Sequence, residues 1–402
     1  MTLSLLIQSI TVYTLWGWGM YKFAQKDNYN TTYAQDNYVS TKAIILCVSL
    51  FAILSAIRWG VGVDYYSYWH GFETTKYFHK LTLDREIEYG WGKIMEFMAV
   101  QEFHYTVYFG FWAMVQILFV CLAMRSYPDA FPYAALLCVL GTCFLTMMNG
   151  IRQCVVCCSL IWVAHFISQK RIIPFIIWIF LASTIHKSVF ITAPLFLLAY
   201  DNSDWKNIKL LITILFVCIV LGRLSPVNHF LENFSSVLEN LSYDNYSEEI
   251  EEIVEEQARS VSWGPTILSN LFLGIIIICF YPKVLAYYEE KYVKISFKIY
   301  YIGFCANFLF MNAGQIFQRP LLYFIFFSIP TTAFTLAYLH QYSGIEKRWH
   351  FILLFLAIIP MYWTNIKAYR NPAYTDATYQ FFFSPNRTFL RDKVPNYLIL
   401  PY

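Results

Sequence analysis

Apolar runs of helical length, separated by short polar stretches, dominate the chain. They cover about 3–21, 42–57, 105–124, 131–148, 152–168, 207–222, 265–281, 299–316, 321–340 and 350–366, with no charge inside them except Lys42, Arg152 and Lys209 at or near an end. A helix rises about 1.5 Å per residue and a bilayer core is about 30 Å thick, so runs of this length predict membrane-spanning helices. One region breaks the pattern. Residues 172–185 and 189–200 are apolar, but His186-Lys187-Ser188 lies between them. Each half would rise only about 18–20 Å. Either one long helix carries a charged centre, or two short helices meet inside the membrane. Lys170 and Arg171 flank one outer end and Lys206 and Lys209 the other. Basic residues prefer the cytoplasm, so the pair is the favoured reading. Broken helices line cavities, because their freed backbone groups need partners.

Composition agrees. Of the 402 residues 58% are hydrophobic and only 14% charged, against about 25% charged in a soluble domain. So few charges cannot cover a water-facing surface of this size. The net charge of +3 and the lack of a basic block argue against nucleic acid as a partner. All ten cysteines fall in apolar stretches, and Cys154, Cys157 and Cys158 share a helix face as small hydrophobes. No Lys or Arg precedes the first apolar run, so it reads as a helix, not a cleaved signal. The expected fold is all-α and polytopic: about 10–12 transmembrane helices, including the broken pair, in a single transmembrane domain over 1–402.

The loops 22–42, 125–130, 169–171, 201–209, 282–298 and 341–349 together hold 14 Lys and Arg, which assigns them to the cytoplasm. Outer segments are then 58–104, 223–264 and a C-terminal tail 367–402, with both termini outside. The acidic segment 239–256 reads as an amphipathic helix with a solvated face.

Several polar motifs reach the outer side in this topology. Arg58, Gly60, Gly62, Asp64, Tyr65 and Tyr68 open the first outer loop. Asn149, Arg152 and Gln153 form a tight turn, and Gln315, Gln318, Arg319 and Tyr323 another. His186 and Ser188 stand at the helix break. An arginine at the end of a span often reaches for lipid headgroups. Three of them, each beside Gly, Asn or Gln in uncharged surroundings, point instead to a phosphate or diphosphate, which the guanidinium fork fits. Gly60 and Gly62 would permit a close backbone, and Asp64 could pair with Arg58. His70, His79, His104 and His165 have no metal-ligand spacing, and no metal site is expected. There is no P-loop, dinucleotide fingerprint or nucleophile elbow, and no cofactor is implied.

Taken in order, these residues resemble a known family. Arg58-x-Gly60-x-Gly62-x-Asp64-Tyr65-x-x-Tyr68, Glu88-x-Gly90, Asn149-x-x-Arg152-Gln153, His186-x-Ser188 and Arg319-x-x-x-Tyr323 look like the EpsG/Wzy-type polysaccharide polymerases, over about residues 40–330. The resemblance implies a glycosyltransferase-C-like helical fold in the bacterial inner membrane, with the active face periplasmic. It implies a metal-independent glycosyltransferase that joins undecaprenyl-diphosphate-linked oligosaccharide units, in contact with membrane lipid and a chain-length regulator. On that reading Arg58, Arg152 and Arg319 bind diphosphate, and His186, Asp64 and Glu88 are candidate bases or acceptor-positioning groups. Gly60, Gly62, Tyr65, Tyr68, Asn149, Gln153, Ser188, Gln315 and Tyr323 line the substrate site. The rival readings are a lipid-linked oligosaccharide flippase or other transporter, an O-antigen ligase-like transferase, and a membrane acyltransferase.

Overall fold

The computed structural model describes residues 2–25, 38–81, 87–224, 263–312, 314–341, 344–371 and 377–384. The acidic segment 239–256 and the last part of the tail, 385–402, lie outside the described residues. In chain order the elements are α1 (Leu3–Gln25), α2 (Thr41–Ala56), β1 (Arg58–Trp59), α3 (Tyr65–Phe78), α4 (Tyr89–Val100), α5 (Tyr105–Met124), α6 (Phe131–Leu140), α7 (Phe144–Asn149), α8 (Ile151–Ser168) and α9 (Ile172–Ser183). A 3-10 helix (Lys187–Ala199) follows. Then come α10 (Ile208–Leu224), α11 (Pro265–Tyr288), α12 (Lys291–Leu309), α13 (Gly314–Ile325), α14 (Ser328–His340), α15 (Ile345–Arg370) and β2 (Gln380–Phe381). Among the described residues five stretches are long and apolar enough to cross a membrane: Tyr105–Met124, Ile151–Ser168, Pro265–Tyr288, Phe317–His340 and Glu346–Arg370. The protein is all-α and multi-pass.

Several expected spans are built differently. The run 131–148 is two helices, because the chain turns extended at Gly141 (ψ 170°) before α7. The run 321–340 is divided between α13 and α14. Helix α12 starts at Lys291, well before the expected 299, because its lysines are neutralised locally. Lys298, with a side chain 0% exposed, donates to Asp201 Oδ2 at 2.6 Å, and Lys294 donates to Asp204 Oδ1 at 2.8 Å. The outer segment 58–104 is no open loop. It carries α3 and α4, packed through a buried aromatic cluster that includes Trp59, Tyr65, Phe72, Trp91 and Trp112. Trp91 and Trp112 stack at 4.1 Å.

The broken region is an antiparallel hairpin. Phe175, early in α9, meets Phe196, late in the 3-10 helix, at 5.5 Å between ring centres. At its base Lys170 Nζ lies 5.2 Å from the centre of the Tyr200 ring. The tip is Thr184-Ile185-His186. Pro194 cannot donate a backbone hydrogen bond, which disfavours a regular α-helix in the second leg.

The lysine- and arginine-bearing loops gather at one end of the helices. Val39 N–H donates to Arg125 O at 2.8 Å, and Tyr288 OH to Asp129 at 2.7 Å. Lys283 pairs with Glu346 at 2.8 Å, and Lys294 reaches Asn202 O at 2.8 Å. At the opposite end β2 pairs antiparallel with β1, Arg58 facing Phe381 and Trp59 facing Gln380. The chain after α15 therefore returns to the end that holds Arg58.

A candidate active site where five motifs meet

The loop after α2 lies on the α7–α8 junction. Gly62 has φ +99°, and a Cβ there would stand 2.8 Å from Met148 O and 3.0 Å from Asn149 Cα. Only glycine fits that approach. Asp64 N–H then donates to Asn149 Oδ1 at 2.7 Å. Gly60 (φ +68°) sits against the Tyr66 hydroxyl. These glycines let the chain pack on itself. The junction is held from α5 by Gln116, 1% exposed, whose amide nitrogen faces Met147 O at 3.3 Å and Ile151 O at 3.4 Å.

Arg152 stands in the first turn of α8, and its Nη1 donates to Glu88 Oε2 at 2.7 Å. The Tyr68 phenol lies beside the same guanidinium and interacts with it electrostatically. Glu88 precedes α4 and reaches the hairpin tip. Its Oε1 accepts from His186 Nδ1 at 3.1 Å and from Lys187 N–H at 3.3 Å. The tip is stapled to α4 a second time. Thr184 O accepts from Gly90 N–H at 2.8 Å and Trp91 N–H at 3.2 Å, two donors that α4 cannot satisfy internally. A Cβ at Gly90 would lie 2.5 Å from Thr184 Oγ1, so Glu88-x-Gly90 couples a charged hub to a position without a side chain. Beyond the tip, Ser188 Oγ bonds Tyr323 OH at 2.9 Å. Gln153 donates to Arg319 O at 2.6 Å. Four of the motifs thus close a ring of contacts, and the first joins it through Asn149 and Arg152.

Glu88 is 9% exposed at its side chain. Burial alone would raise its pKa. Hydrogen bonds from His186, its own backbone and Lys187, with the Arg152 charge, outweigh burial and hold it at about 2. It is ionised at neutral pH and has no proton to give. His186 Nδ1 must therefore be the donor in their bond, so Nε2 is the ring nitrogen that can accept a proton. The His186 side chain is 24% exposed and that of Arg152 31% exposed, so both reach the surface of the site.

Not every expected site residue stands there. Arg58 is 2% exposed. It donates to Ser55 O at 2.5 Å and to Met148 O at 3.4 Å, and it lies 4.7 Å from the centre of the Phe109 ring. Its bonds go to carbonyls, so the expected pairing with Asp64 does not form. Tyr65 is 0% exposed, stacks on Phe109 at 4.8 Å and donates to Arg58 O at 3.1 Å. It belongs to the core. Asp64 and Tyr68 are half-buried near the head of α3, and the Arg319 side chain is exposed. The side chain of Gln315 lies outside the described residues. Gln116 and the Thr184 carbonyl were not foreseen; a lone amide within the apolar run 105–124 was the signal for the first. Cys154, Cys157 and Cys158 are buried free thiols. Among the described residues no three His, Cys, Asp or Glu side chains are grouped to hold a metal.

No curated protein and no solved structure matches the chain. The EpsG family model matches residues 42–382, a span that contains all five motifs. By that match the chain belongs to the EpsG family, which is associated with Wzy-type polysaccharide polymerisation.

Proposed function

We propose that this protein joins undecaprenyl-diphosphate-linked oligosaccharide repeat units into a surface polysaccharide, at the periplasmic face of the bacterial inner membrane. The observation that carries the reading is Glu88 bonded at once to His186 Nδ1 and Arg152 Nη1. One ionised carboxylate holds a base and a phosphate-binding cation side by side, both partly exposed. In the reaction an acceptor sugar hydroxyl attacks the anomeric carbon of the donor glycan. The new C–O bond forms as the bond to undecaprenyl diphosphate breaks, and the diphosphate keeps the electron pair. His186 Nε2 takes the hydroxyl proton. The leaving group gains negative charge, which Arg152 and the exposed Arg319 meet. Asp64 and Tyr68, at the head of α3, orient the acceptor. Ser188 and Tyr323 fix the far wall through their mutual bond. Arg58 acts from below, tying the end of α2 to the end of α7.

The buried and exposed arginines separate these roles. Arg152→Lys and Arg319→Lys keep charge but lose the fork. Each is expected to leave surface glycans at one repeat unit, with normal protein in the membrane. Arg58→Lys is expected to lower the amount of folded protein instead. Normal long chains from both Arg152→Lys and Arg319→Lys would refute the diphosphate site. Loss of all surface glycan, including single units, would point to lipid-linked oligosaccharide transport instead.

A further inference from the structure

We infer that residues 377–384 form a strap that positions the motif loop 58–64, with Tyr379 as its anchoring residue. The inference rests on the polymerase reading only for its catalytic consequence.

The strap attaches at the end of α2. The last carbonyls of a helix have no partners within it. Here Ile53 O takes Ile57 N–H at 3.1 Å, and Ser55 O takes Arg58 Nη1 at 2.5 Å. Two further carbonyls at this end are met from the far end of the chain. Leu54 O accepts from Tyr379 OH at 2.6 Å, and Ile57 O accepts from Phe382 N–H at 3.0 Å. The β1–β2 pairing then binds Arg58 and Trp59 directly. Tyr379 is 0% exposed, and its ring meets Tyr13 at 5.7 Å and Trp16 at 6.2 Å.

The strap is itself rooted. Tyr379 N–H donates to Ser9 Oγ at 2.9 Å, Ser9 Oγ donates to Asn365 Oδ1 at 2.6 Å, and Tyr13 OH donates to Ala377 O at 3.0 Å. Helices α1 and α15 thus hold one side of the strap, and its other side holds the end of α2. Downstream of that end, the segment packs on the α7–α8 junction and delivers Asp64 onto Asn149. Loosening the strap frees one of the two fixed ends of this segment. The EpsG match runs to residue 382, through both β2 and Phe382.

Tyr379→Phe keeps the ring and removes only the bond to Leu54 O; Ser9→Ala removes the acceptor of Tyr379 N–H. Hydrogen exchange of the purified full-length protein, without substrate, is the test. In both variants amides of residues 58–64 are expected to exchange roughly tenfold faster, while those of α5 and α8 keep their wild-type rates. Polymerisation should lose kcat with KM little changed, at an unaltered thermal midpoint. Unchanged exchange at 58–64 would overturn the proposal, as would faster exchange throughout with a lowered midpoint. Faster exchange confined to 58–64 with wild-type kcat would overturn its catalytic part alone. Because exchange is read without substrate, a wild-type protein that fails to polymerise would refute the polymerase reading and leave the exchange result standing.

Discussion

A single carboxylate organises the site. Glu88 receives Arg152, His186 and the backbone of Lys187. From the amino-acid pattern it was a reserve candidate behind His186 and Asp64. Its importance was hidden because its partners lie 64 and 98 residues away, beyond what spacing along a chain conveys. The arginines show the same limit. Motif position predicted three alike, yet burial divides them: Arg58 serves carbonyls, Arg152 serves Glu88, and Arg319 is exposed. Glu88 also carries a pH signature. Its folded pKa is depressed from 4.5 to about 2, so its contribution to stability is full above the unfolded value and is lost as pH falls through the folded one. The difference corresponds to about 3 kcal/mol at most for this nearly buried group. Thermal midpoints of wild type and Glu88→Gln should therefore differ near pH 6 and converge as pH drops from 4.5 toward 2. A gap that stays constant over that window would show that the Glu88 charge does not stabilise the fold.

At the scale of elements, uninterrupted apolar runs were easy to read, and the helix break at His186 was placed correctly as the tip of a pair. Two things were not legible. Helices α3 and α4 bury aromatic rings but carry Glu73, Lys76, Lys93 and Glu96, so neither forms an uncharged run. Helix α12 was cut short because Lys298 broke its run, although that lysine is fully buried against Asp201. This pair ties α12 to the chain just beyond the 3-10 leg of the hairpin, far from the motif end. Asp201→Asn would leave Lys298 buried without its countercharge, at a cost of about 2–3 kcal/mol. Adding Lys298→Met removes the stranded charge and should recover most of that loss. Thermal unfolding in detergent reads both changes. Equal or greater destabilisation in the double variant would mean that the pair does not couple the hairpin to α12 in this way.

Across the whole molecule two ends are distinct. Basic loops distant in sequence touch at one end, and five motifs with the two terminal regions meet at the other. The lysine and arginine bias made this division visible before any geometry, because charge placement along the chain reflects the membrane directly. The meeting of the motifs depends on helix breaks at Gly150 and His186, which the ends of the apolar runs mark, and on the pairing of β2 with β1, which no pattern along the chain conveys. On the proposed function, Glu88 and His186 act as one unit in glycosyl transfer. The most direct test is chain growth by the purified protein on synthetic lipid-diphosphate repeat units. His186→Ala and Glu88→Gln are each predicted to slow turnover at least about tenfold, roughly 1.4 kcal/mol in the barrier, with the double variant little slower than either alone. Wild-type turnover by both single variants across pH 6–8 would contradict the account.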